Sequence, residues 1–324
     1  MRKRLITALS GLALATAIGL VPSTSAQAEP DIDTVQARVD RLYHEAEQAS
    51  ERYNDAKLEL DALQRDLTSL RADQERQDAE LGAAREQVKD AMLRQYEGQG
   101  ISAVGEVFVS DDPRAFLSQL STMSSYTSYQ DALLDDYGDQ VQALDIRRTA
   151  TAKRLEQVEK TEKRLAAEKA TIEEKHSEAE SLLDRLKEEE RAAILSRGST
   201  TVPSDVPASG RAAAAVQYAL AQVGDAYVYG AAGPSAFDCS GLTMMAWAQA
   251  GVALPHSSSA QYSSGTRVSS GDLQPGDLVF YYSPISHVGM YIGNGMIVHA
   301  ANPGSGVLVA ELYSMPYVGA VRPG

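Results

Sequence analysis

The chain has 324 residues, of which 44% are hydrophobic and 6% aromatic. This length predicts about two domains. The formal net charge of −14 argues against a nucleic-acid partner, because surfaces that bind nucleic acids are basic. From Gly210 onward there are only three basic and five acidic residues, so most of the negative charge belongs to the middle of the chain.

The N-terminus has the pattern of a secretory signal. A basic stretch over 2–4 precedes an apolar segment over 5–21, and residues 26–28 (Ala-Gln-Ala) match a small-x-small cleavage site. We expect residues 1–28 to be a signal peptide and the mature protein to be secreted, whether extracellular or periplasmic, with a membrane anchor as the alternative. An exported chain whose one cysteine is Cys239 forms no internal disulfide, and this favours a reactive thiol.

A long heptad array follows the signal. Its apolar residues are spaced alternately four and three, which predicts a left-handed coiled coil. The first part of the seam contains Val35, Val39, Leu42, Ala46, Ala49, Tyr53, Ala56, Leu60, Leu63, Leu67 and Leu70. After an interruption at about 98–128, a second array contains Leu134, Tyr137, Val141, Leu144, Leu155, Val158, Leu165, Ile172, Ala179, Leu183 and Leu186.

Two arms of similar length joined by a compact cap predict an antiparallel coiled-coil hairpin over 31–197, with the cap at about 98–128. A long parallel dimer is the alternative. His176 falls on the seam, where we interpret it as a packing residue, and we predict that His44 lies on the solvated face.

Pro, Ser, Thr and Gly dominate residues 198–210, which predicts a flexible or semi-extended linker. Residues 211–324 then read as one compact α+β domain, with helices first and antiparallel strands after. The Ala-rich start is helical, and Cys239 opens a second helix. Short apolar segments separated by Gly and Pro predict strands over 277–282, 287–292, 296–301, 307–312 and 317–322.

Cys239 and two histidines are the candidate catalytic residues. A thiol at the start of a helix is a candidate nucleophile, because the helix dipole favours thiolate. His287 begins one predicted strand and His299 lies within the next. If residues 293–295 form a three-residue loop, residue 289 lies opposite His299, and both histidine side chains lie on the same face of the sheet. A simple two-residue Asn-Gly turn would instead place the two side chains on opposite faces. The constellation therefore requires an odd loop or a bulge.

In that register, Cys239 is the nucleophile, His287 the base and His299 the group that orients the base. The alternatives are a buried structural cysteine and a Cys-His-His zinc site, although no CxxC spacing accompanies the zinc reading. We expect no metal and no other cofactor.

Residues 211–324 resemble the NlpC-type (P-sixty-type) cell-wall cysteine peptidases, which have a papain-like fold. The motifs that carry the resemblance are Tyr227-Val-Tyr-Gly, Asp238-Cys239-Ser240-Gly241-Leu242, Gln274-Pro-Gly-Asp-Leu-Val-Phe280, His287-Val-Gly-Met-Tyr-Ile-Gly293 and His299-Ala. The resemblance implies the same three catalytic residues, and a substrate pocket lined by Tyr227, Asp238 and Ser240, with Tyr227 near the oxyanion. The family's usual Leu-Pro-Arg segment ends here in His256.

The resemblance implies a peptidoglycan substrate, cleaved in the stem peptide at the bond between γ-D-glutamate and the diamino acid. The heptad region resembles the regulatory arms of exported cell-division hydrolases, which are often regulated by an FtsEX-type membrane complex. An amidase of the same fold and a non-catalytic coiled-coil wall scaffold are the alternatives. A further hypothesis is that the hairpin covers the Cys239 cleft and restrains the enzyme.

Overall fold

The computed structural model describes residues 32–97, 113–195, 199–203 and 206–324. The predicted signal peptide and the first half of the predicted cap lie outside these ranges. Two long helices dominate the N-terminal half: α1 (Ile32–Tyr96) and α2 (Pro113–Leu183). A short helix, α3 (Glu188–Leu195), follows. Within the described residues, no helix is both long and apolar enough to cross a membrane.

The two long helices pair as an antiparallel hairpin. Ion pairs join them along their length, and the residue numbers fall on α2 as they rise on α1. The pairs are Arg38–Glu178, Arg52–Glu168, Glu59–Arg164, Asp66–Arg154 and Asp78–Arg148. Because the partner numbers run in opposite directions along the two helices, the predicted antiparallel hairpin is confirmed.

The heptad seam is best buried near the base of the hairpin. There Val39 and Leu42 of α1 pack with Leu183 of α2, and Ile194 of α3 covers them. Burying each such side chain stabilises the fold by about 1.5–3 kcal/mol. Further along, several predicted seam residues are exposed by 40% or more, namely Leu134, Val141 and Leu155. The seam is therefore weaker toward the tip than its spacing predicts.

Two boundaries of the hairpin differ from the prediction. The residues from Pro113 onward belong to one continuous helix instead of a separate cap helix. The hairpin was predicted to run to residue 197, but α2 ends at Leu183, and residues 184–187 form a break before α3. The break turns α3 back, so that Arg191 pairs with Glu180 and Asp184.

The C-terminal half has the predicted α+β arrangement, with helices first and an antiparallel sheet after. The helices are α4 (Gly210–Ala221), α5 (Cys239–Gln249) and α6 (Ser258–Gln261), and two short strands, β1 (Ala226–Tyr227) and β2 (Ala236–Phe237), pair in parallel. The main strands are β3 (Thr266–Val268), β4 (Leu278–Tyr281), β5 (His287–Gly293), β6 (Met296–Asn302), β7 (Gly306–Glu311) and β8 (Tyr317–Arg322).

All neighbours in the six-stranded sheet are antiparallel, in the order β3-β8-β4-β5-β6-β7. The five predicted strands are present, whereas β1, β2 and β3 were not predicted. Helices α4 and α5 pack on one face of the sheet through Val216, Leu242 and Trp247, which meet Met290 and Val298. This packing presents the first turn of α5 to the centre of the sheet.

The segment predicted as a linker lies against the C-terminal domain where it is described. The backbone N–H of Ser199 donates to the carbonyl of Val309 at 3.0 Å, and the N–H of Val309 donates back at 3.0 Å. Val206 and Ala208 pack on the domain's core. The edge of β7 therefore gains a bridge from this segment, so the segment is docked and not fully flexible.

Candidate active site

The candidate nucleophile begins α5. Asp238 is the N-cap residue, and its Oδ1 accepts a hydrogen bond of 2.6 Å from the backbone N–H of Gly241. Cys239 follows as the first helical residue and is only 1% exposed. The predicted position of the thiol at a helix N-terminus is therefore correct.

The two histidines share one face of the sheet through a bulge and not through a three-residue loop. Gly293 pairs with Met296, so the turn contains only Asn294 and Gly295, and both have positive φ. The register shifts between Tyr291 and Gly293. The predicted loop is therefore wrong, but the bulge restores the predicted register, in which Gly289 lies against His299.

This register places the histidine rings edge to face. Nε2 of His287 lies 2.7 Å from Nδ1 of His299, and the ring centroids are 5.0 Å apart. Burial, and then the charge of His287, lower the pKa of His299 well below its usual value, so His299 is neutral. Nδ1 of His299 thus contacts the second nitrogen of the His287 ring, which is the contact that the predicted orienting role requires.

One face of α1 lies directly on these residues. We call this set the inserted face: Glu47, Glu51, Asn54 and Asp55. Nδ1 of His287 donates to Oε1 of Glu47 at 2.5 Å. Nδ2 of Asn54 donates to Oδ2 of Asp238 at 3.2 Å. We call the arrangement with the inserted face in place the closed form.

Glu51 is the most deeply engaged residue of the inserted face. Its Oε2 accepts hydrogen bonds from the backbone N–H of Ser258 at 2.5 Å and from the Ser258 hydroxyl at 2.6 Å. Its Oε1 accepts from the Ser240 hydroxyl at 2.8 Å and lies 3.7 Å from Sγ of Cys239. The site beside the thiol therefore accommodates a carboxylate.

Asp55 extends the contact by one helical position. Its Oδ1 accepts hydrogen bonds from the hydroxyls of Ser257 at 2.5 Å and Ser259 at 2.9 Å. The three serines before and within α6 thus serve Glu51 and Asp55 as donors, and they explain why a polar helix face is buried here.

The carboxylates of the closed form oppose ionisation of the thiol. Burial, followed by the charges of Glu51, Glu47 and Asp238, raises the pKa of Cys239 well above its usual value. The expectation that the helix N-terminus favours thiolate is therefore wrong for the closed form. Departure of the inserted face removes both glutamate side chains, including the ionised Glu47, from the neighbourhood of the thiol.

The site favours different protonation states for Glu47 and Glu51. Burial opposes ionisation of Glu47, but the charge of His287, the hydrogen bond from His287 and the nearby His44 ring outweigh it and lower the pKa of Glu47. For Glu51, burial and the charge of Asp238 raise the pKa to about 7, against the hydrogen bonds from Ser258 and Ser240. The site thus favours an ionised Glu47 and a protonated Glu51.

The predicted pocket residues are all buried near Cys239, with different contacts. Tyr227 is 4% exposed, and its hydroxyl has no hydrogen-bond partner among the residues that the structure describes. Ser240 donates to Glu51. Asp238 accepts from the N–H of Gly230 at 2.9 Å as well as from Gly241, so it also holds the loop before α5 in place.

His256, at the position of the family's arginine, contacts Asp238. Its Nε2 lies 2.8 Å from Oδ1 of Asp238. Burial disfavours the imidazolium, but the hydrogen bond to Asp238 and the charge of Asp238 outweigh it and raise the pKa of His256. The environment thus favours the protonated ring, whose positive charge beside Asp238 resembles that of an arginine.

His44 is not on a solvated face as predicted. It is half-buried, its ring centroid is 4.0 Å from that of Tyr282, and both residues line a cavity of about 330 Å³ next to His287. His176 packs at the hairpin seam as predicted, with ring centroids 6.4 Å from Tyr43 and 6.0 Å from Tyr229.

Sequence reasoning missed the inserted face entirely. Glu47, Ser50, Glu51 and Asn54 have the i, i+3, i+4, i+7 spacing of a second helical stripe, and all four are buried. Spacing alone does not distinguish this stripe from a solvated polar face, since both are polar. The available signal was the run of hydroxyl donors at 257–259, which suits buried carboxylates.

Comparison with known proteins places the site in a family. Residues 224–320, which include Cys239 and both histidines, match the NlpC/P60 family. These residues form an NlpC/P60 domain. Its cysteine-bearing helix packed on an antiparallel sheet is the papain-like arrangement that the resemblance implied.

Relatives of the NlpC/P60 domain include proteins named as probable endopeptidases. One from Mycobacterium tuberculosis is 51% identical over 107 residues, which are 33% of this chain and 28% of that protein. One from Corynebacterium glutamicum is 45% identical over 116 residues, which are 36% of this chain and 56% of that protein. The matches thus span between about a quarter and a half of these relatives' length.

Among solved structures, the NlpC/p60 domain of the peptidoglycan hydrolase SagA is 36% identical, with a TM-score of 0.33. The match covers 34% of this chain and 97% of that one. The inserted face, over 47–55, lies outside the matched NlpC/P60 domain, so the closed site combines residues of the domain with residues of the hairpin.

Proposed function

We propose that the mature chain is an exported cysteine endopeptidase that cleaves peptidoglycan stem peptides in the cell wall. The observation that carries the proposal is the placement of Cys239 at the start of α5 beside the hydrogen-bonded pair His287 and His299. The endopeptidase and peptidoglycan-hydrolase names of the relatives support it.

The proposed reaction is acyl transfer. The Cys239 thiol gives its proton to Nδ1 of His287, and the thiolate attacks the carbonyl carbon of the scissile amide. Backbone N–H groups at the start of α5, together with Tyr227, stabilise the oxyanion. The C–N bond breaks as His287 protonates the leaving amine, and a thioester remains. Water, deprotonated by His287, then hydrolyses the thioester and regenerates the thiol.

We propose the bond between γ-D-glutamate and the diamino acid as the target. An amide made through the γ-carbonyl of glutamate leaves that residue's α-carboxylate free. The hydroxyls of Ser240 and Ser258 and the Ser258 N–H hold the Glu51 carboxyl group beside the thiol in the closed form. After the inserted face departs, the same donors suit the free carboxylate of the substrate.

We further propose that the closed form is latent. Glu47 occupies Nδ1 of His287, the ring atom that the mechanism assigns to the thiol proton, and Glu51 fills the space beside Sγ. Substrate therefore cannot reach the thiol until α1 moves. Such restraint suits an exported enzyme that acts in wall remodelling or daughter-cell separation, because unrestrained cleavage would weaken the wall.

We propose that an FtsEX-type membrane complex binds the tip of the hairpin and thereby releases α1 from the active site. Large apolar side chains are exposed there by 42–90%, which soluble monomers avoid unless a partner covers them. They are Met92, Leu93, Tyr96, Leu117, Leu120 and Met123. Replacing Leu93 and Leu120 by Glu should abolish co-purification with the complex and leave the melting temperature unchanged; retained co-purification would contradict the proposal.

Digestion of purified peptidoglycan followed by mass spectrometry tests the activity. We expect the Glu47→Gln chain, in which α1 is loosened, to release fragments cut after γ-D-glutamate. The double variant Glu47→Gln/Cys239→Ala should fold and release none. Fragments cut at the muramyl–alanine link would indicate an amidase instead, and cleavage by the double variant would overturn the cysteine mechanism.

A further inference from the structure

Three buried groups of the kind that bind transition metals converge where α1 meets the NlpC/P60 domain. A carboxylate oxygen of Glu47, Sγ of Cys239 and a ring nitrogen of His287 lie within 4.8 Å of one another. The residues are 7%, 1% and 1% exposed. Carboxylate, thiolate and imidazole are the ligands that Zn²⁺ takes in proteins.

The separation of the three donor atoms is close to that of a bound ion. Ligand–zinc distances of about 2.0–2.3 Å put the donors of a tetrahedral ion roughly 3.5 Å apart. Small side-chain rotations therefore bring all three donors into coordinating distance. The donors come from three separate elements, α1, α5 and β5, so the set is complete only in the closed form.

The charge around the thiol also favours a cation. Glu47 and Asp238 both lie close enough to Cys239 to act on it as negative charges. Buried carboxylates repel each other because they are all negative, and a divalent cation between them reduces that repulsion.

A second observation points into the same space. Tyr227 is only 4% exposed, and its buried hydroxyl finds no hydrogen-bond partner within the described part of the chain. It lines the cavity of about 330 Å³ together with Glu47 and His287. Buried hydroxyls normally have partners. A water in the fourth position of a three-ligand zinc ion would provide one.

The surroundings of the ligands fit as well. A metal-bound histidine generally makes a hydrogen bond through its second ring nitrogen, which fixes its orientation. Nε2 of His287 makes this contact with Nδ1 of His299 at 2.7 Å. The His287 ligand is therefore oriented through its second ring nitrogen.

We propose that the closed form binds one Zn²⁺ between Glu47, Cys239 and His287, and that the ion holds α1 on the active site. On binding, the thiol proton leaves to solvent and sulfur bonds to the metal. The hydrogen on Nδ1 of His287 is replaced by the ion, and the neutral ring carries its hydrogen on Nε2, donated to His299. The proposal rests on the closed form and is independent of which bond the enzyme cleaves.

Metal titration of the metal-free mature chain tests the proposal without substrate. Zn²⁺ is titrated against a chromophoric chelator, and Co²⁺ is used as a coloured substitute whose sulfur-to-cobalt absorption reports thiolate ligation. We expect one ion per chain with that absorption. Glu47→Gln should weaken Zn²⁺ binding at least about tenfold, because loss of a ligand exceeds the 10–100-fold effect of outer-shell changes.

Two variants distinguish ligation from simple opening of the hairpin. Glu51→Gln alters the neighbouring buried carboxyl, one turn further along, and should leave Zn²⁺ affinity within about threefold. Glu47→His supplies another zinc ligand at the same position and should restore affinity lost in Glu47→Gln. Equal affinity in the wild type and in Glu47→Gln, no sulfur-to-cobalt absorption, or no rescue by Glu47→His would overturn the proposal.

Discussion

The same substitution, Glu→Gln, should have opposite effects at two positions of α1 that are one turn apart. Glu47 is stabilised as a carboxylate and Glu51 as a carboxylic acid. Glu47→Gln should therefore loosen the closed form at neutral pH, whereas Glu51→Gln should tighten it. If polar substitutions simply weakened or strengthened the docking of α1 in general, both variants would change the stability of the closed form in the same direction.

The magnitude for Glu51 follows from its pKa. The value rises from 4.5 to about 7 in the closed form. At about 1.4 kcal/mol per pKa unit, ionised Glu51 costs the closed form about 3 kcal/mol above pH 7. This cost is absent below pH 4.5 and grows as the pH rises to 7, because the closed form then holds a proton that the open form has lost. Gln stays neutral at every pH and avoids it.

The amide also keeps the hydrogen bonds of the protonated acid. Its oxygen accepts from the N–H and hydroxyl of Ser258, and its NH₂ group replaces Oε1 near Ser240, whose hydroxyl rotates to accept. For Glu47→Gln, the lost contact is a charge-assisted hydrogen bond to His287, worth about 1.5–3 kcal/mol.

Alkylation of Cys239 measures the opening directly. The thiol is buried in the closed form, so its rate of modification tracks the open population when closing is fast. At a given pH, the intrinsic reactivity of the thiol is the same in the variant and the wild type, because the inserted face is absent from the open site in both. The ratio of their alkylation rates therefore reports only the difference in open population. The measurement is made with chelator present, so that metal does not contribute.

At pH 7.5 we expect Glu51→Gln to react up to roughly 100-fold more slowly than the wild type, with the difference falling below about fivefold at pH 5. Glu47→Gln should react about 10- to 100-fold faster, and it should remain faster at pH 5.5, because the lowered pKa keeps the wild-type carboxylate ionised. A faster rate for Glu51→Gln at pH 7.5 would refute the reasoning.

Three further outcomes follow from named contacts. Asn54→Asp places a carboxylate where the amide donates to Asp238, so Cys239 alkylation at pH 7.5 should speed up at least about tenfold, and an unchanged rate would contradict this. His299→Ala in the Glu47→Gln background should lower kcat and shift its pH profile, with partial rescue by His299→Gln. Gly241→Ala should lower the melting temperature by several degrees, because its Cβ would overlap the carbonyl of Ala231.

Much of the architecture was predictable because it follows local rules. The three-four spacing of apolar residues predicted both arms of the hairpin, and the alternating apolar segments predicted five strands of the sheet. The positions of Cys239, His287 and His299 followed from one helix start and two adjacent strands. These features depend on residues that are close in sequence.

The bulge and the inserted face depend on contacts that no local pattern encodes. Asn294-Gly295 favours a two-residue turn, and only a register shift at the preceding strand brings the histidines together. Glu47 and Glu51 have the composition of a solvated helix face. Their burial depends on serine donors more than 200 positions away, which a reading of helical periodicity does not consider.

The proportions of α1 make the hairpin a lever. Glu47 is 15 residues from the start of the helix and 49 from its end, or roughly 23 Å and 74 Å at ~1.5 Å per residue. Val39 and Leu42, which are clamped against Leu183 and Ile194, lie eight and five residues before Glu47 and act as the fulcrum. A sideways force on the tip, 54 to 57 residues beyond them, therefore acts on Glu47 multiplied roughly sevenfold or more. A force applied far from the NlpC/P60 domain is thus amplified at the helix turn that covers the thiol.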